Sequence, residues 1–152
     1  MAIVQSDRKT YVYYQKPVKK NSEYIKEFKS LMAVSDIYDG NLGEHKGLMA
    51  QLLKTEGTTV AGADTATLKA ATEKTKLAYR ACMALNASDN LQYKQLKNYL
   101  DNQFLLGKDA YPTTYEERLK LLDNFHSKAT TKPNYWSNND HPGVAFQQQE
   151  GK

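Results

Sequence analysis

The sequence predicts an all-α chain: a small bundle of about five helices followed by an irregular C-terminal tail. Three observations carry that expectation. Apolar residues recur every three or four positions through most of residues 21–125, Gly, Pro, Asp, Ser and Thr punctuate the gaps between these runs, and no sustained alternation of apolar and polar residues marks a strand. The nearest thing to a strand is TYVYYQ, residues 10–15, which reads equally as the end of a helix truncated on its N-terminal side.

In the run from Asn21 to Asp39, Tyr24, Ile25, Phe28, Leu31, Met32 and Ser35 share one helical face. Asn21 or Ser22 is positioned to cap its start, and Gly40 follows where a left-handed residue is wanted. After Gly-Asn-Leu-Gly, residues 44–56 form a shorter helix with Leu48, Met49, Leu52 and Leu53 inward, closed by Gly57. Asp64 caps the third run, in which Leu68, Ala71, Thr75, Ala78, Cys82 and Leu85 alternate spacings of three and four. Its small side chains let a neighbour approach closely, which predicts a central helix. Ser88 caps the fourth run, with Leu91, Tyr93, Leu96, Leu100 and Phe104 inward. The joint GKDAYP follows. Gly107 stops the helix, Asp109 sits in the link, and Pro112 disfavours helical dihedrals at Tyr111. Thr113 with Glu116, or Thr114 with Glu117, makes a capping box for the last helix, whose apolar face is Tyr115, Leu119, Leu122 and Phe125.

The chain has 152 residues, room for one domain. Residues 1–20 form a basic and aromatic segment, 21–126 the helical domain and 127–152 a polar tail in which no sustained period appears. Leu, Ile, Val and Phe supply only 29 residues, so the core is small and supplemented by the 11 Tyr. A core this thin gains from self-association, which buries more surface. The single cysteine, Cys82, excludes an internal disulfide framework, and MAIVQSDRK lacks the apolar run of a signal peptide, which together suit a reducing, cytoplasmic setting. No segment approaches a membrane span.

The residues offer little to catalysis. Nucleophilic chemistry needs a Ser or Cys beside a His base, and only His45, His126 and His141 exist, with Cys82 on an inward stripe. One Cys and three scattered His cannot build a structural zinc site, and no phosphate-cradling or dinucleotide motif is present. Neither a cofactor, a metal nor a small-molecule substrate is expected, and the chain is read as a non-enzyme. Asp109 with Glu116 or Glu117 is the acid pairing weighed, and a helix start accounts for both glutamates. The sequence pI near 9.0 and net charge of +4 permit nucleic-acid contacts. Arg8, Lys9, Lys19 and Lys20 beside Tyr11 and Tyr13 are the candidates, cations for phosphates and rings for bases. Tyr135, Trp136 and Phe146 in the tail read as docking motifs or as remnants of a linker.

Two blocks resemble a known family. QKPVKKNSEYIKEFKSLM, residues 15–32, looks like the start of the C-terminal capsid domain of Gag proteins, with Gln15, Tyr24, Ile25 and Phe28 at the spacing of the retroviral major homology region. Residues 80–125, RACMALNASDNLQYKQLKNYLDNQFLLGKDAYPTTYEERLKLLDNF, are similar to copia-type retrotransposon Gag proteins in their small-residue helix, Tyr-x-x-Leu helix, G-x-D-x-YP joint and terminal helix with paired leucines. HPGVAFQQ resembles the linker before their zinc knuckle. Lys16 stands where the homology region has Gly and Lys19 where it has an acidic residue, and the sequence contains no CCHC knuckle. The resemblance implies a capsid-domain-like bundle, part of a longer Gag or Gag-Pol polyprotein or a degenerate copy. Its partners would be further copies of itself and retroelement RNA, and its function the assembly of a particle. The competing reading is a monomeric helical module that binds RNA or a host protein.

Overall fold

The computed structural model describes residues 13–38 and 40–131, and among these described residues there are five helices and no strand; four of the five begin where a side chain accepts a free N–H group. Helix α1 spans Asn21–Ile37 and buries Tyr24, Ile25, Phe28, Met32 and Ser35. Its N-cap is Lys20, which makes no side-chain capping bond, rather than Asn21 or Ser22, because Asn21 is drawn into polar contacts across the bundle. Gly40 is not left-handed as expected. It is needed for space, since its N–H donates to the Ser35 carbonyl at 2.9 Å and a Cβ there would lie 2.2 Å from Ser35 Oγ.

Helix α2, Lys46–Thr55, is capped by His45, whose Nδ1 accepts the Leu48 N–H, and it is followed by Gly57 at φ 82°. Leu53 is fully buried, whereas Leu48 stays at the rim. Helix α3, Thr65–Asn86, starts at Asp64 as expected, with Oδ1 accepting the Thr67 N–H at 2.7 Å. Helix α4, Asn90–Leu105, is capped by Asp89 and not by Ser88, whose hydroxyl instead donates to the Ala84 carbonyl. Tyr93, Leu96 and Leu100 face inward, but Leu91 and Phe104 do not. Leu91 lies two positions from Tyr93, on the opposite side of a 3.6-residue turn, and the Phe104 ring packs edge-on against Tyr111.

Helix α5, Tyr115–Thr131, opens with the Thr114–Glu117 alternative. Thr114 Oγ1 accepts the Glu117 N–H, and the Glu117 carboxylate reaches back to the N–H and hydroxyl of Thr113. The helix runs past Ser127, where the tail was expected, because nothing before Pro133 forbids helical dihedrals.

Helix α2 packs on α3, and α5 packs on α1, α3 and α4, so α5 shares the central place expected for α3. One core cluster joins α1 to Leu42, Ala81, Ala84 and Tyr115; a second joins Leu85, Tyr93, Leu96, Leu100 and Leu122. Among the described residues no helix is long and apolar enough to cross a membrane.

Candidate functional site

The homology-region-like residues converge on the turn that leads into α1. Tyr24 and Phe28 have 0% and 1% exposure, and Ile25 is buried beside them. Phe28 sits between the Tyr24 and Tyr115 rings, each 6.1 Å away between centroids. Gln15 is buried and ties the turn at three points. Its backbone N–H donates to the Ala87 carbonyl at 2.8 Å, and its Nε2 donates to the Lys19 carbonyl and to Asn21 Oδ1. Asn21 carries the connection onward, its Nδ2 donating to the Tyr93 hydroxyl and to Asp123 Oδ1, both at 2.9 Å. Gln15, Asn21, Tyr93 and Asp123 thus form one polar chain linking the N-terminal turn to α4 and α5. A groove of ≈ 400 Å³ lies over this chain, bordered by Lys20, Gln92 and Asp123.

The α3–α4 joint beneath the turn is held by cations. Lys97 Nζ donates to the carbonyls of Asn86 and Ser88, both at 2.7 Å. Arg118 has no exposed surface; its guanidinium donates through Nη2 to Ser88 Oγ at 2.8 Å and lies 4.9 Å from the Tyr24 ring centroid. Its Nε and Nη1, like Gln15 Oε1 and Asp89 Oδ2, are buried with no hydrogen-bond partner among the described residues. Burial pushes the Arg118 pKa down to about 10, which leaves it charged at neutral pH. Across the bundle, Arg80 donates from both terminal nitrogens to Asp36 and from Nε to the Leu42 carbonyl, with Lys76 also paired to Asp36. The Arg80 hydrogen bonds are the main cause holding the Asp36 carboxyl down at about 2.

The nucleic-acid candidates divide. Arg8, Lys9 and Tyr11 lie outside the described residues. Tyr13 stacks on Tyr24 with centroids 5.2 Å apart, and its hydroxyl meets the Glu27 carboxylate that also pairs with Lys19. Tyr13 and Lys19 are therefore engaged within the fold, while Lys16 and Lys20 are exposed.

At the helix joint, Gly107 takes φ 77°, Asp109 Oδ1 accepts the Tyr111 N–H, the Tyr111 hydroxyl bonds to Asp101, and Pro112 is buried. The Asp101 bond, more than burial, pushes the Tyr111 hydroxyl up to about 12. Glu117 is occupied at the helix start and Glu116 pairs with Lys29, so neither carboxylate is brought to Asp109. Burial pushes the Cys82 thiol up to about 11, and its Sγ donates to the Pro112 carbonyl. Among the described residues no group of three or more His, Cys, Asp or Glu could hold a metal ion.

Arg118, Lys97 and the Arg80–Asp36 pair are absent from the sequence-based expectations. A signal for Arg118 was present: Tyr115, Arg118, Leu122 and Phe125 follow spacings of three, four and three, and place Arg118 on the buried stripe. No protein-family model matches the chain, and no curated protein or solved structure is significantly similar to it.

Proposed function

We propose that this chain is a structural, Gag-like segment whose activity is association with further copies of itself, and that retroelement RNA is its cargo. The observation that carries the reading is the placement of large apolar side chains at two helix ends. Ile37 with Val34 and Tyr38 closes α1, and Phe104, Leu105 and Leu106 close α4; Ile37, Leu105 and Leu106 are 75%, 81% and 73% exposed. Exposed apolar groups gathered in this way favour a partner that removes them from water. A closed dimer needs one such surface, whereas a growing particle needs at least two. The polar chain from Gln15 to Asp123 supports the same reading, because rigid placement of helices is what a repeating contact requires.

The test is light scattering behind a sizing column, over a range of protein concentrations, with and without single-stranded RNA. The expected result is a mass that rises with concentration and rises further on RNA, and a fall toward the monomer for the Ile37→Glu, Leu105→Glu double variant. A constant mass of 17.2 kDa, unmoved by RNA, overturns the assembly reading in favour of a monomeric binding module.

A further inference from the structure

A second groove, between α4 and α5, differs in character from the one over the N-terminal turn. Its volume is ≈ 540 Å³, within the range of about 300–1,000 Å³ usual for sites that bury apolar groups. It is lined by Leu96, Leu100, Leu121 and Phe125, with Tyr99 and Gln95 beside them, and no lining residue is charged. The groove at the N-terminal turn and the one between α1 and α3, by contrast, are both bordered by Lys and Asp. A groove without charges selects an uncharged, apolar occupant, because a charge placed in it loses its water and gains no partner.

We propose that this groove receives Leu105 and Leu106 of a second copy of the chain, and that the second copy's groove receives the same two residues in return. The inference rests on the self-association reading and specifies the contact made by the end of α4. Leu105 and Leu106 are 81% and 73% exposed, and among the described residues no other two adjacent large apolar side chains are this open. They lie within residues 102–107, NQFLLG, which carry no charge, whereas Val18 adjoins Lys19 and Ile37 adjoins Asp36. Among the described residues nothing lies within 4 Å of where a Cβ on Gly107 would stand, so the turn that ends α4 is clear for a partner. Both leucines sit at the end of the helix that forms one wall, and so they cannot enter the groove of their own chain.

Area argues for the reciprocal arrangement. Covering a leucine side chain removes on the order of 100 Å² of apolar surface, and covering the exposed half of the Phe104 ring about as much again. One insertion, counted on leucines and groove together, then buries on the order of 600 Å², half of the roughly 1,200 Å² at which specific interfaces begin. Two insertions related by a two-fold axis reach that size. The helix itself allows the pair. Gln95, Tyr99, Asn102 and Leu106 follow at spacings of four, three and four, so the groove edge and Leu106 share one face of α4. Tyr99 and Leu105 are about 9 Å apart along the axis, at about 1.5 Å per residue. Two α4 helices packed antiparallel about an axis at Asn102 therefore set Leu105 of each copy opposite Tyr99 of the other, at both grooves at once.

The test is light scattering behind a sizing column on the full chain and on its Ile37→Glu variant, which spoils the apolar end of α1 and leaves α4 and its groove intact. Ile37→Glu is expected to stop at twice the chain mass. Adding Leu105→Glu or Tyr99→Lys, both at exposed positions, should return it to the monomer with helical circular dichroism unchanged. Mixed in equal amounts, those two chains should regain the dimer, with a dissociation constant at least tenfold below that of either alone, because one contact becomes an ion pair and the other is native. If Ile37→Glu is monomeric while the parent assembles, the inference falls and the assembly reading stands. A dimer that survives both α4 substitutions, or a mixture that stays monomeric, has the same meaning. A parent that forms the dimer and grows no further upholds the inference and overturns the particle. A parent monomeric at every concentration overturns both and gives the groove to a partner of another kind.

Discussion

Arg118 shows how much one side chain can ask of a small interior. It contributes a cation over the Tyr24 ring and a hydrogen bond to Ser88, yet two of its nitrogens have no partner among the described residues. Burying an unpartnered donor costs about 1–3 kcal/mol, and apolar replacements of buried charges are often neutral or stabilising. Arg118→Met, which keeps length and volume, is therefore expected to leave stability unchanged or raise it by up to about 2 kcal/mol in urea unfolding. A loss of that size instead would show that the two nitrogens find partners in solution. Phe28 is the opposite case, apolar and buried between two rings. Phe28→Ala should cost about 3–5 kcal/mol, and a variant that melts with the parent would remove Phe28 from the core. The sequence pattern found Phe28 because apolar periodicity is what it measures. It passed over Arg118, on an equally periodic stripe, because a cation is ordinarily assigned to solvent.

At the level of elements, the five helices, two of their stops and two of their starts were legible, since Gly57, Gly107, Asp64 and the Thr114–Glu117 pair act through their own backbone or nearest turns. Two expected caps are lost to residues distant in sequence: Asn21 and Ser88 are turned from capping by Tyr93, Asp123 and Arg118. The α1–α3 contact was illegible for the same reason, because Asp36 and Arg80 lie 44 residues apart. Removing Asp36 strands a largely buried guanidinium, so Asp36→Ala should cost about 2 kcal/mol at neutral pH, a figure kept low because Asp36 is 43% exposed. The folded-state pKa of Asp36 is depressed to about 2 from 3.8, so its stabilisation is present in full above about 4 and is lost as pH falls toward 2. The gap between parent and variant in denaturation experiments should close across that window. A gap that persists at pH 2 would mean that Asp36 acts by packing alone.

For the molecule as a whole, the interior leans on tyrosine where a larger domain would use leucine. Burial pushes the hydroxyls of Tyr24 and Tyr115 up to about 12 from 10.0. The folded state therefore holds these protons after the unfolded chain has released them, and the stability they supply is present below pH 10 and is lost as pH rises through 12. Arg118, depressed to about 10, works in the other direction, but it is one group against Tyr24, Tyr115 and Tyr111, whose hydroxyl is likewise raised to about 12. Net stability should fall between pH 10 and 12, followed by tyrosinate absorbance at constant ionic strength; a rise across that range would place the phenols of Tyr24 and Tyr115 outside the core. The polar chain at the N-terminal turn has a further consequence, in time rather than in strength. Gln15 bonds to Ala87, and Asn21 reaches Asp123, 102 residues further along. Contacts of such high sequence separation form late and slow the folding of small domains. During synthesis α1 emerges ahead of the other described helices, with Phe28 exposed, and its turn cannot close until α5 has been made as far as Asp123, about halfway along it. Until then the nascent chain is open to pairing with its neighbours on the same message.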